Sequence, residues 1–406
     1  MIAPTPHVLA GRAKWSVIRG DCIEGMRTLP DGCVHCCVTS PPYFGLRDYG
    51  CEGQIGLEDT PEAYVAKMVD VFREVRRILR DDGTLWLNIG DSYAGSWGNY
   101  GGQNRGKGGQ RDITTGSECP NPAYDGLEQW RPPTSRKMPG IKPKDLIGIP
   151  WMLAFALRSD GWYLRCDIIW AKPSPMTESV RDRPTKAHEY MFLLAKSARY
   201  FYDAMAIAEP AKTSTRDRLA QNVEAQTGSH RANGGAKTNG TMKAVGSETA
   251  NKRSVWKIAS RSYKGAHFAT FPPKLVEPCI FAGTSAKGVC PACGAPWVRE
   301  TKRNRRATRP GKDSKVTGDA LTDGNRDPER HVTTTETVGW KQACKCAAAD
   351  PVGAIVFDPF AGSGTTLAVA VDHGRRALGT ELNAAYLPLI EARMRNTTPA
   401  LFSEAT

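Results

Sequence analysis

The sequence has no apolar run approaching the roughly 20 residues that cross a bilayer as a helix, which excludes that class of membrane protein. Its opening stretch, "MIAPTPHVLAGRAKW", lacks a charged segment followed by a continuous apolar one. No secretory leader is therefore expected, and a cytoplasmic location is. Acidic residues are in deficit, with 42 Asp and Glu against 55 Lys and Arg, for a formal charge of +13. The excess is concentrated: residues 211–266 hold 11 Lys and Arg against 3 Asp and Glu. Such a segment is either a solvated insertion or a surface for a polyanion, and nucleic acid is the partner it fits better. Also missing are a clean internal repeat and a nuclease motif. The 12 cysteines, without a leader, do not read as a disulfide framework. Several, such as Cys36 and Cys37, sit in apolar runs and read as core.

With 406 residues and 40% hydrophobic content, the chain can bury a large core. Short apolar runs at Trp15–Gly20, Val34–Thr39, Thr84–Gly90, Cys166–Trp170, Glu189–Ala195, Ala354–Asp358 and Ala377–Glu381 read as strands. Helical spacing lies between them. In the clearest case Thr60 caps, Pro61 takes the first position and Glu62 meets the positive end of the dipole. Val65, Met68, Val69, Phe72, Val75 and Leu79 follow on one face, and Gly83 is expected to end the helix. Alternating strands and helices imply an α/β fold with a doubly wound, mainly parallel sheet. Three stretches interrupt it as insertions: the Gly-, Pro- and Asn-rich 95–144, the polar 211–254, and 287–350 with its basic run Lys302, Arg303, Arg305, Arg306 and Arg309.

Two loops carry chemistry. In "GAIVFDPFAGSGTTLAVAV" a strand ends at Asp358, a turn contains Gly362 and Gly364, and a helix begins near Thr365. The glycines let a ligand approach the backbone at a helix N-terminus. Glu381 ends the next strand, where an acid can accept from ribose hydroxyls. The third glycine of a dinucleotide fingerprint is absent, because Leu367 stands in its place. The other loop, "TSPPYFG", leaves a buried strand through two prolines that fix the backbone between the Ser40 hydroxyl and the Tyr43 ring.

Together, "DPFAGSGTT" and "TSPPY" resemble the cofactor and catalytic loops of the DNA amino-methyltransferases. Their order, catalytic loop first, is similar to the circularly permuted β group of that family. "VIRGDCIEGMRTLPDG", "DIIWAKPSPMTESVRDRPTKAHEYMFLLAK" and "VWKIASRSYKGAHFATFPPKL" resemble its flanking segments. The resemblance implies a seven-stranded S-adenosylmethionine-dependent methyltransferase fold over 14–400, with catalytic loop 38–45 and cofactor loop 356–366. Ser40, Pro41, Pro42 and Tyr43 would be catalytic. The cofactor would meet Asp21, Thr39, Asp358, Pro359, Phe360, Gly362, Gly364, Thr365 and Glu381, with His267, Thr270 and Lys274 closing over its methionine end. The substrate would be the exocyclic amine of a flipped base in a specific double-stranded DNA site, read by insertions 95–144 and 211–254. A separate restriction endonuclease is the implied partner, and no membrane is. Within the family, Ser at position 40 is commoner in enzymes acting on N4 of cytosine, and Asp in those acting on N6 of adenine. Cytosine is the expectation and adenine the alternative.

Cys290 and Cys293 in "GVCPACGAPW", with Cys344 and Cys346 in "QACKCA", supply four thiolates for a closed structural zinc site within 287–350. The other reading is unliganded thiols on an insertion. A Pro-Cys pair, Pro278–Cys279, admits cytosine-C5 chemistry, but Cys279 lies far from Pro41 and Pro42 and reads as core. Methylation of RNA or protein amines, and an inactive zinc-containing DNA-binding protein, complete the rival readings.

Overall fold

The structure is a computed structural model that describes residues 2–46, 50–95, 140–178, 180–211, 246–247, 249–260, 271–307 and 331–397. In chain order the elements begin with α1 (Thr5–Leu9), β1 (Trp15–Arg19), α2 (Cys22–Arg27), β2 (Val34–Thr39), α3 (Pro61–Ile78) and β3 (Leu79–Ile89). Next come α4 (Ile149–Ser159), β4 (Tyr163–Ala171), β5 (His188–Ala195), the two-residue pieces β6 (Glu209–Pro210), β7 (Gly246–Ser247) and β8 (Thr249–Ala250), and β9 (Val255–Lys257). The rest are α5 (Pro273–Gly283), β10 (Trp297–Ala307), β11 (His331–Gln342), β12 (Ile355–Asp358), α6 (Thr365–Asp372), β13 (Arg376–Glu381) and α7 (Leu387–Arg395).

The chain divides into two compact units. One comprises Met1–Asp203, Arg253–Pro296 and Cys346–Thr406. Its sheet has eight strands in the order β1-β13-β12-β2-β3-β5-β4-β9. The seven expected strands are all in it, joined by the short β9. Pairing is parallel from β1 through to β3; β5 then runs antiparallel to both β3 and β4. The middle of the sheet is apolar on both faces because helices cover both. β2 is buried at every position, as are Leu85, Trp86 and Leu87 of β3 and Val356 and Phe357 of β12.

α3 begins as its sequence requires, with the Thr60 hydroxyl accepting from the Ala63 amide at 3.2 Å and Pro61 in the first turn. Tyr64, Met68, Phe72 and Val75 are fully buried on its inner face. Each such side chain contributes about 1.5–3 kcal/mol by leaving water. The helix stops at Ile78, before the expected Gly83, because Leu79 is already extended and opens β3. Gly83 instead serves the strand: a Cβ there would lie 2.7 Å from the Leu79 side chain.

The functional consequence lies in the middle of the sheet. β12 and β2 are neighbours although far apart in sequence, and both run in the same direction. Their carboxyl ends place the 40–45 loop beside the 359–364 turn. Crevices at such ends are where α/β sheets hold ligands.

The second unit, Ala204–Lys252 with Trp297–Lys345, contains an antiparallel ribbon of β10 and β11, with β7 beside β11, and the small β6–β8 pair.

Candidate active site

Thr39 and Asp358 end the two adjacent strands, and the Thr39 hydroxyl donates to Asp358 Oδ1 at 2.6 Å. The Phe360 amide donates to the same oxygen at 3.0 Å. Asp358 is almost fully buried, and burial pushes its carboxyl up to about 6 against those favourable bonds. The start of α6 is tied in as well, through the Thr366 hydroxyl on the Val38 carbonyl at 3.1 Å.

Beyond Thr39 the prolines hold two acceptors differently. The Pro42 carbonyl accepts from the Tyr64 hydroxyl at 2.8 Å. Among the described residues no donor reaches the Pro41 carbonyl, which stays available beside the half-buried Ser40. Phe44 is core, 5.7 Å from the Tyr64 ring. Tyr43 is held by its hydroxyl, which donates to Glu189 Oε2 at 2.7 Å and lies 3.4 Å from Ser40 Oγ. Asn88 Nδ2 donates to Glu189 Oε2 at 3.3 Å, and Lys172 Nζ bonds Glu189 Oε1. Burial, then the Glu189 charge, push the Tyr43 phenol well above its ordinary value, so it remains a donor. Gly90 makes room for this ring: a Cβ there would sit 2.7 Å from Tyr43 Cε2.

Glu189, Lys172 and Asn88 were not singled out from the sequence. Asn88 and Glu189 carry one signal, a polar side chain inside an otherwise apolar strand, "LWLNIG" and "HEYMFLLA", whereas Lys172, just past β4, carries none. The antiparallel β3–β5 register, with Ile89 opposite Tyr190, brings Asn88 to Glu189, and the β4–β5 register, with Ala171 opposite His188, brings Lys172.

At the other loop, Gly362 and Gly364 have φ of +52° and +77°, conformations that other residues resist. The Gly362 amide donates to Glu381 Oε2 at 2.7 Å, and the Asn383 amide to Oε1 at 2.8 Å. Burial pushes Glu381 up to about 7, so the carboxylate lacks donors enough for its charge. Ser363 Oγ is buried with no hydrogen-bond partner. A turn with an orphaned hydroxyl, a glycine whose missing Cβ would meet only Phe360 O, at 3.8 Å, and an under-solvated carboxylate suits a polar ligand bearing hydroxyls. The Pro359 carbonyl is engaged by Thr380 Oγ1 at 2.6 Å, and Phe360 is partly buried against the core.

Asp21 caps α2, accepting from the Ile23 and Glu24 amides at 2.8 and 3.1 Å. It directly follows Gly20, whose amide donates to the Glu381 carbonyl at 2.9 Å, so it shares the ligand edge of the sheet. Thr365 is buried and its hydroxyl meets Arg393 Nη1. Lys274 is exposed in the first turn of α5. His267 and Thr270 lie outside the described residues, as do most of 95–144 and 211–254. Cys279 is fully buried, with its thiol on the Leu275 carbonyl, which places it in the core of α5. A cavity of about 520 Å³ opens at the opposite end of β2, lined in part by Asp31, Arg73, Arg76, Arg77 and Lys196, and has no part in this site.

The sulfurs of Cys290, Cys293, Cys344 and Cys346 all lie within 4.8 Å of one another. The turn bearing the first two is anchored by backbone: Arg80 Nη1 donates to the Cys293 carbonyl at 2.6 Å. His35 Nδ1 accepts from the Ile355 amide, which leaves Nε2 to donate to the Gly294 carbonyl at 3.0 Å. Burial lowers His35 to about 4 and keeps it neutral for that arrangement.

A family model described as DNA methylase, of the N6/N4 methyltransferase type, matches residues 34–290 and 342–392. The type II methyltransferase M.XycI of Xanthomonas campestris pv. cyanopsidis is 37% identical over 395 residues, covering 97% of this chain and 91% of that protein. M.SmaI of Serratia marcescens is 43% identical over 275 residues, 67% of this chain and 76% of its own length. Of solved structures, the PvuII DNA methyltransferase, titled cytosine-N4-specific, matches with a TM-score of 0.50 and 14% identity, over 96% of this chain and 90% of that one. At that identity the likeness is one of fold.

Proposed function

The chain belongs to the DNA methylase family of N6/N4 methyltransferases, and from that membership we propose that it methylates N4 of cytosine in a specific duplex site, using S-adenosylmethionine. The Thr39–Asp358 hydrogen bond carries this reading, because it joins the two signature loops at one crevice. S-adenosylmethionine, when bound, supplies a methyl group on a positively charged sulfur. Gly362 and Gly364 would admit its backbone-proximal part, Glu381 would accept from the ribose hydroxyls, and Asp21, Thr39, Asp358, Pro359, Phe360 and Thr365 would shape the rest. His267, Thr270 and Lys274 are assigned to its methionine end.

The amine of a nucleobase is a poor nucleophile while its lone pair is delocalised into the ring. Ser40 Oγ and the open Pro41 carbonyl can each accept one amino hydrogen, which holds the nitrogen toward a tetrahedral shape. The rigid prolines fix both acceptors before the base arrives, so alignment costs little. Tyr43 offers its ring to a flipped base, as chemistry on a base within a duplex requires. Glu189 is a positioning residue for that ring, and Lys172 supplies its counter-charge. Ser40, by the family resemblance, favours cytosine.

We assign a structural zinc to Cys290, Cys293, Cys344 and Cys346. Tetrahedral Zn–S bonds near 2.3 Å put sulfurs about 3.8 Å apart, which a set within 4.8 Å reaches by small side-chain shifts. No catalytic role follows from four thiolates, which leave no open position. A separate endonuclease reading the same site is the proposed partner.

The decisive experiment is expression in a host free of DNA methylation, followed by nucleoside mass spectrometry of the host DNA. N4-methylcytosine is expected. N6-methyladenine alone would move the target to adenine, and neither base would overturn the methyl-transfer reading. The same strain carrying Ser40→Ala should show at least a 100-fold loss of methylation, with cofactor binding retained.

A further inference from the structure

β10 and β11 pair in antiparallel register from Trp297 opposite Gln342 to Ala307 opposite His331. At about 3.3 Å per residue this ribbon is roughly 35 Å long. It lies almost wholly in the stretch that the family model leaves unmatched, so the shared fold does not account for it. Nor does it bury an apolar face of its own: Val338 is 62% exposed, and Thr301, Lys302, Arg303, Thr335 and Glu336 are all exposed.

Its acids share one face. Strand alternation puts Arg299, Thr301 and Arg303 at positions of one face, opposite Trp340, Thr337 and Thr335. Those six positions contain no carboxylate. The other face has Val298, Glu300, Lys302 and Asn304 opposite Lys341, Gly339, Glu336 and Thr334, with Arg306 further along, and so mixes both acids with basic residues. There Asn304 Nδ2 donates to Glu336 Oε2 at 3.2 Å. The face of Arg299 and Arg303 is therefore the one that presents positive charge without a neighbouring acid.

The basic face is also ordered. Arg299 Nη1 donates to Thr337 Oγ1 at 2.9 Å, and its guanidinium lies 4.6 Å over the Trp340 ring. Among the described residues Arg303, exposed, has no hydrogen-bond or ion-pair partner. The bulge between Glu300 and Thr301 adds local twist to the ribbon.

We propose that the β10–β11 ribbon is a duplex-DNA contact element that enters the major groove with its Arg299–Thr301–Arg303 face toward phosphates and base edges. The major groove of B-form DNA, about 12 Å wide, admits a two-stranded ribbon, whereas the deep, narrow groove of A-form RNA does not. Arginines read guanine edges and phosphates, and threonine hydroxyls serve phosphates. The cysteine pairs flank the two ends of the ribbon in sequence. This assignment rests on duplex DNA being the substrate, as proposed above, and adds a candidate contact to insertions 95–144 and 211–254.

The test measures fluorescence anisotropy of a labelled 30-base-pair mixed-sequence duplex across a salt series. Arg303→Ala should reduce the slope of log affinity against log salt by about 0.9, the value for one lost phosphate contact. Affinity at the lowest salt should fall at least threefold. Lys302→Ala, on the opposite face of the same strand, should change the slope by less than 0.5 and controls for folding. An unchanged slope in Arg303→Ala would overturn the proposal, as would an equal loss from Lys302→Ala. A loss confined to a duplex RNA probe would overturn it too. Tritium transfer from labelled cofactor to host DNA by the wild-type chain is measured alongside. Its absence would sink the methyl-transfer reading, while the binding series would still decide the ribbon.

Discussion

Tyr43 is where one side chain must satisfy two demands. Its ring is wanted by a flipped base, and its hydroxyl is held by Glu189. Because Lys172 and Asn88 hold Glu189 in turn, the ring is fixed before any base arrives. Glu189→Gln keeps the shape but removes the charge that Lys172 balances, and Tyr43→Phe removes the hydroxyl alone. Each should lower single-turnover methylation about tenfold while leaving cofactor affinity within twofold. Acting as one unit, the double variant should be no slower than the worse single one. Additive losses would show that the two groups act independently. At this scale the motif residues were legible because their types and order are distinctive: Ser40, Tyr43, Asp358 and Glu381 all stand at the crevice. Glu189 was not, since its proximity to Tyr43 depends on which strand pairs with β3.

At the level of elements, the apolar strands and the capped α3 could be read directly, because burial on both faces writes a continuous apolar run and a helix writes its own period. β9 is too short to show a period, and β10 and β11 write no apolar pattern because charged and polar residues fill most of β10 and threonines much of β11. α3 ends before Gly83 because the extended backbone of Leu79 already stops the helix. The end of β3 is tested by Gly90. Gly90→Ala would bring a methyl to 2.7 Å from Tyr43 Cε2 and push the ring from its seat. Methylation should drop at least tenfold with the melting temperature within a few degrees of wild type. The cofactor turn behaves oppositely: Gly362→Val forces a branched side chain onto φ of +52° and should weaken cofactor binding at least tenfold, measured by calorimetry. If Gly362→Val binds cofactor normally, the turn is not the cradle assigned here.

Across the whole molecule, the crevice sets a pH dependence that competes with one from the core. Glu381 ionises at about 7 in the folded chain instead of 4.5, because burial disfavours its charge. The folded state therefore holds a proton that the unfolded state has already lost, and stability falls as pH rises from 4.5 through 7. The amount is on the order of 3 kcal/mol at the upper end. Asp358, raised to about 6, acts in the same direction. His35 opposes them: burial lowers it from 6.5 to about 4, so its contribution is present above 6.5 and lost as pH falls toward 4. The wild-type profile mixes these signs, and Glu381→Gln separates them. That variant should melt higher than wild type at pH 8, with the difference shrinking toward pH 5, in a buffer with enough salt to screen the +13 formal charge. Ribose hydroxyls donating to Glu381 would favour its ionised form, so the stabilisation of the wild type by S-adenosylmethionine should grow from pH 6 to pH 8. Glu381→Gln should lose that growth. A cofactor-induced shift independent of pH in the wild type would mean that Glu381 does not meet the ligand, and that its burial serves the Gly362 turn alone.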